Sequence, residues 1–213
     1  MNQKGLLLII SGPSGVGKGT VVKEVVEKRK DTVLSVSATT RKKREGEIDG
    51  VNYHYISEEA FEKIKSNDGF MENAIFCGNR YGTLKSEVNE RLERGINVIL
   101  EIDVQGAMKV RSEHSEGVFI FITPPTLKEL HRRLVERNTE TPDVIEKRFA
   151  HAKREFTFID KYNYLIENSD ITTAVNAICS IIDAEHLRVE RCYENVYDKL
   201  LIGQKAEGEE YDC

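Results

Sequence analysis

Gly12, Pro13, Ser14, Gly15, Val16, Gly17, Lys18, Gly19 and Thr20 follow directly on the apolar run 6–10. That order of residue types handles phosphate. Glycines let backbone N–H groups turn inward on an anion, and a helix starting near residues 17–18 adds partial positive charge. Lys18 supplies a mobile full charge for β- and γ-phosphates, so the chain is expected to bind a nucleoside triphosphate. The match to the P-loop pattern is imperfect. Gly19 stands where a hydroxyl normally ligates Mg2+, and the hydroxyl arrives one position late at Thr20.

Other clusters carry charge suited to phosphate chemistry. Arg41, Lys42, Lys43 and Arg44 crowd one segment just beyond a β-prone run, and arginines three apart can clamp a phosphate through forked donors. A solvated basic face is the bland alternative. Glu72 lies among Phe70, Met71, Ala74 and Ile75, either as an acceptor or as a residue pointing out of a strand. Guanine presents two adjacent donors that one carboxylate accepts side by side, and adenine has no such pair. Tyr53 and Tyr81 add hydroxyls and flat faces nearby. Glu101 and Asp103 end a central-strand candidate and are candidates for Mg2+, directly or through water. Arg132, Arg133, Arg137 and Arg148 sit on two adjacent helices, which describes either a salt-bridged surface or a lid closing cations onto a transferring phosphoryl group.

The elements positioning these groups alternate. Strands are expected over 6–11, 32–37, 97–102, 117–123 and 162–166, and helices over 18–29, 84–94, from 126, from 141 and over 171–189. Ser57 caps a short helix, and Thr126 with Glu129 forms a capping box. This α/β rhythm implies a parallel sheet flanked by helices. Residues 41–83 interrupt it and read as an insertion above the sheet's carboxyl edge, where such folds bind ligands. Asp49-Gly50 signals a hairpin there, 69–82 is expected to be irregular, and 193–213 is a fraying charged tail.

Composition bounds the rest. The chain has 213 residues, 39% hydrophobic and 31% charged, enough for one α/β domain with small inserted parts. A net charge of −5 argues against general nucleic-acid binding. Cys77, Cys179, Cys192 and Cys213 show no paired spacing, as expected of reduced thiols in the cytoplasm. The N-terminal apolar run is too short for a signal or membrane segment, so no membrane partner is expected.

Taken in order, these stretches resemble the guanylate kinases, from about residue 6 to about residue 186. The likeness rests on Ser11 through Thr20, Ser37 to Arg41, Arg44 to Glu47, Asp49 to Tyr53, Phe70 to Glu72, Gly78 to Thr83, Glu101 to Gly106, Pro124-Pro125, Arg137 to Thr141 and Glu167-Asn168. The resemblance implies phosphoryl transfer from ATP to GMP or dGMP with Mg2+. It implies a core of 1–36, 84–125 and 156–190, a GMP-binding subdomain of 37–83, a helical lid of 126–155 and a tail of 191–213. By the same resemblance, Ser37, Arg41, Arg44, Tyr53 and Tyr81 bind the GMP phosphate. Glu72, Thr83, Glu101 and Asp103 serve the guanosine side, and Thr20, Glu101 and Asp103 the metal. Lys18 and the P-loop hold ATP, Asn168 borders its adenine, and Lys18, Arg41, Arg137 and Arg148 are catalytic. The tail leaves homo-oligomer contacts open. Gly19, Lys42-Lys43, Asn73 and Asn138 depart from the common pattern without removing a required charge. A kinase for another nucleotide and a non-catalytic interaction module are the rival readings.

Overall fold

In the computed structural model, which describes residues 3–76, 78–136, 141–193, 196–197 and 200, two sheets divide the work. The chain runs β1 (Leu7–Ser11), α1 (Lys18–Lys28), β2 (Thr32–Leu34), β3 (Ser37–Thr39), β4 (His54–Tyr55), α2 (Glu58–Ser66), β5 (Phe70–Phe76), β6 (Asn79–Leu84) and α3 (Lys85–Glu93). It continues through β7 (Asn97–Glu101), α4 (Val104–Glu113), β8 (Val118–Thr123), α5 (Leu127–Glu136), α6 (Pro142–Glu155), a 3-10 turn (Phe156–Lys161), β9 (Tyr164–Glu167) and α7 (Ile171–His186).

The larger sheet has the order β2-β7-β1-β8-β9, and every pairing in it is parallel. β1 explains why it is central. All five of its residues are buried, with Leu8 and Ile10 facing one core and Leu7 and Ile9 the other. The first core takes Val21, Val22 and Val25 of α1 and Ile178 and Ile182 of α7. The second takes Val88 and Leu92 of α3 and Ala107 and Val110 of α4. Each fully buried aliphatic side chain contributes roughly 1.5–3 kcal/mol, which anchors the strand that delivers the P-loop.

The smaller sheet, β4-β3-β6-β5, corrects three expectations. The run 32–37 is two strands, because the chain leaves the large sheet after Leu34 and enters the small one at Ser37. Residues 69–82 are an antiparallel pair, β5 with β6, rather than an irregular stretch. Asp49-Gly50 makes no hairpin. Gly50 is left-handed, at φ 75°, yet the Asp49 carboxylate accepts the Tyr55 N–H at 2.9 Å and folds the loop back. β4 consequently runs parallel to β3. The helix α4 is an addition, since residues 103–113 carried no expected element; Asp103 caps it by accepting the Gly106 N–H at 2.7 Å.

Candidate active site

The P-loop leaves β1 at Ser11 and enters α1 at Lys18, with Gly17 left-handed at the helix start. Gly12, Gly15 and Gly17 all have positive φ, and at two of them the space is closed as well. Gly12, at φ 144°, would set a Cβ 2.3 Å from the Ile122 carbonyl oxygen, and Gly17, at φ 90°, would set one 2.7 Å from Asn168 Nδ2. Lys18 Nζ folds back to donate to the Gly12 and Pro13 carbonyls, the latter at 3.2 Å. The loop is braced from behind. Buried Asn168 donates Nδ2 to the Val16 carbonyl at 2.7 Å, while Arg133 reaches the same carbonyl at 3.4 Å and the Asn168 carbonyl at 3.0 Å. Asn168→Ala leaves a buried carbonyl short of a donor, which costs about 1–2 kcal/mol and lowers Tm by roughly 2–8 °C in thermal unfolding.

Gly19 has a structural counterpart. A Cβ there would stand 3.6 Å from Glu101 Oε1, so the residue lacking a hydroxyl faces the carboxylate at the end of β7. Burial pushes the Glu101 carboxyl up, and the Lys18 charge opposes that rise. Thr20 lines an open cleft of about 700 Å3 with Gly15, Gly17, Arg133, Asn168 and Thr172.

The small sheet gathers the second set of residues on one face. Ser37 pairs with Thr83 and Thr39 with Tyr81 across β3 and β6. On the other side of β6, Thr83 pairs with Glu72 and Tyr81 with Ala74. Residues opposite one another share a face, so Ser37, Thr83, Glu72 and Tyr81 point the same way. A bulge makes this arrangement work. Phe70 pairs with Leu84 but Glu72 with Thr83, so Met71 is the extra residue. Phe70 then joins Phe61 and Ala38 under the sheet, Met71 enters the main core, and Glu72 is turned onto the open face.

Glu72 is 9% exposed, and Thr83 donates its hydroxyl to Oε1 at 2.9 Å. Burial raises the Glu72 carboxyl, the Thr83 hydrogen bond lowers it, Asp103 raises it and Lys109 lowers it. Arg41 is held in a cage. It pairs with Glu47 at 2.7 Å and lies over the rings of Tyr53 and Tyr55 at 5.5 and 5.8 Å. Glu47 also accepts the Arg44 N–H and the Tyr55 hydroxyl, both at 2.8 Å, and Arg41 first of all holds its carboxyl down to about 2. Tyr53 meets the Tyr81 ring edge-on at 5.8 Å. The Arg44 side chain is exposed.

The arginines of the two lid helices separate. Arg132 is paired with Glu129 and Glu136 on α5, the salt-bridged surface alternative. Arg133 is the P-loop brace. Arg148 is half-buried midway along α6. Arg137 lies outside the described residues, as do Asn138 and Cys77.

The guanylate kinase family model matches residues 4–185. The chain belongs to the guanylate kinase family. A guanylate kinase of Clostridium tetani is 50% identical over 205 residues, covering 96% of both chains. One from Clostridium perfringens is 49% identical over 197 residues, covering 92% of this chain and 91% of that one. The crystal structure of guanylate kinase from Anaplasma phagocytophilum superposes with a TM-score of 0.70 at 34% identity, covering 89% of this chain and 90% of that one. Residues the motifs did not assign also make contacts at these faces. Glu47 orients Arg41, with Gly46 left-handed between them as the local signal. Arg133 braces the P-loop, and Lys109 reaches the Glu72 strand, neither with a signal in sequence.

Proposed function

We propose that this guanylate kinase transfers the γ-phosphoryl group of ATP to GMP or dGMP through the residues gathered at its two anion-binding faces. A GMP phosphate oxygen attacks the γ-phosphorus, the bond to the β,γ-bridging oxygen breaks, and ADP and GDP leave. The observation that carries the reading is the buried Glu72–Thr83 pair on the open face of the small sheet. A buried carboxylate with one hydroxyl partner has capacity left for the paired N1–H and 2-amino donors of guanine.

Ser37, Arg41, Arg44, Tyr53 and Tyr81 would receive the GMP phosphate, with the 37–83 unit as the GMP-binding subdomain. Lys18 and the P-loop N–H groups would hold the ATP phosphates, and Asn168, lining the 700 Å3 cleft, the adenine side. Arg148, with Arg137, would close from the 126–155 lid. Catalysis is positioning and charge neutralisation in a site that excludes water.

The donor set fits Mg2+. Glu101, Asp103 and Thr20 are hard oxygen donors, and Asp103 keeps one carboxylate oxygen beyond the one that caps α4. Among the described residues no three His, Cys, Asp or Glu side chains cluster for a metal. Mg2+ in such enzymes is commonly held by one or two carboxylates, water and nucleotide phosphates. When bound, it would neutralise charge on the β- and γ-phosphates. Among the described residues no helix is long and apolar enough to cross a membrane, and the reading is of a cytoplasmic enzyme acting on small molecules rather than nucleic acid.

A coupled ADP-release assay with ATP and Mg2+ tests this, comparing GMP, AMP, UMP and CMP. Turnover led by GMP is the expected result. Turnover led by another nucleotide keeps the kinase and removes Glu72 from base recognition.

A further inference from the structure

The small sheet reaches the core where β5 packs on α4. At that seam Lys109, exposed on α4, donates Nζ to the Asn73 carbonyl at 3.0 Å. Asn73 is the residue after Glu72, so this bond fixes the backbone that carries the buried carboxylate. A further tie lies at the far end of α4, where Lys85 Nζ bridges Glu113 and Asp68 at 3.2 and 2.7 Å. That tie holds the turn before β5, whereas the Lys109 bond acts beside the carboxylate itself.

We propose that Lys109 is a positioning residue, latching the Glu72 strand to the core through the Asn73 carbonyl and thereby setting affinity for the guanine base. The proposal rests on the assignment of Glu72 to guanine. Charge works in the same direction as the latch. α4 presents Asp103 and Lys109 to Glu72, of opposite sign, while β6 presents the neutral hydroxyls of Thr83 and, two pairs along, Tyr81. The other charges of α4 are engaged elsewhere, Arg111 over the Phe119 ring at 4.9 Å and Glu113 with Lys85. Lys109 therefore offsets Asp103 and favours the ionised carboxylate that guanine needs. An exposed lysine does this without being part of the packed core, so its removal should leave the fold intact.

Lys109→Met, Lys109→Arg and Glu72→Gln, assayed together from acid to neutral pH, test the latch. Lys109→Met should raise the KM for GMP roughly three- to tenfold, with kcat and the KM for ATP within about twofold of wild type. The acid limb of kcat/KM for GMP should move to higher pH, because the charge favouring ionised Glu72 is gone. Lys109→Arg should recover both, since it keeps a donor and a charge. An unchanged GMP KM and acid limb in Lys109→Met, beside a crippled Glu72→Gln, would overturn the latch and leave the guanine assignment standing. An unaffected Glu72→Gln would overturn the assignment itself, and the latch with it.

Discussion

Lys18→Met lowers kcat by about a hundred- to a thousandfold while the protein stays folded; that is the outcome expected from its place in the loop. Phosphoryl transfer asks little covalent chemistry of the protein, so the charges aimed at the moving group carry the rate. Lys18 is the one full positive charge in the nine-residue loop. Its ammonium rests on the Gly12 and Pro13 carbonyls, at the mouth of the loop that would receive a phosphate. Methionine keeps the length of the side chain and removes the charge. The fold should not notice, because α1 is anchored by the buried Val21, Val22 and Val25. Steady-state kinetics paired with thermal unfolding makes the check. A variant with full turnover would show that the loop does not hold the transferring group. A variant whose Tm collapses would show that Lys18 is structural.

The P-loop was legible because its information is local. A buried strand, forced glycines and a helix start occupy consecutive positions, and the geometry at Gly12 and Gly17 agrees with what the residue types imply. The small sheet was only partly legible, since its order depends on pairing between distant segments. Glu72 reads in sequence either as an acceptor or as a residue pointing out of a strand, and nothing in Phe70-Met71-Glu72 announces that Met71 is the extra residue of a bulge. That follows from the register with Leu84 and Thr83. Asp49-Gly50 does form a turn, with the Val51 N–H on the Ile48 carbonyl, but the Asp49 carboxylate then takes the Tyr55 N–H and the strand that follows pairs parallel to β3 instead of returning as a hairpin. α4 was missed because Gly106 and Ala107 bury little apolar surface, so its inward face carries a weak periodic signal. Its buried residues are Val104, Gly106, Ala107 and Val110. The partners of the arginines were invisible for a related reason. Charge pattern alone cannot separate Arg132, tied to Glu129 and Glu136, from Arg133, reaching across to Val16.

Glu72→Gln should lower kcat/KM for GMP by about ten- to a hundredfold or more, leave the KM for ATP unchanged, and raise rather than lower stability at neutral pH. The first effect follows from the donor count. Guanine offers two N–H groups, and hydrogen bonds to a charged acceptor contribute roughly 1.5–3 kcal/mol each. Glutamine keeps one acceptor, which Thr83 already uses, and turns an NH2 donor on the base. The stability effect follows from burial. The folded carboxyl sits above the ordinary glutamate value, first of all through desolvation, so the folded state disfavours its ionised form. The resulting penalty is absent below the unfolded value. It grows as pH rises from there to the raised folded value, and persists above it. Glutamine carries no such penalty, so the Tm of the variant should exceed that of the wild type above this window and converge with it below. The wild-type kcat/KM for GMP should fall as pH drops through the raised folded value, while the variant, with no carboxyl to protonate, should lose that limb. Calorimetry and kinetics across the same pH series therefore read one group in two ways. A variant that loses GMP efficiency and also loses stability at neutral pH would mean that Glu72 holds the sheet together rather than waiting, at some cost to the fold, for guanine.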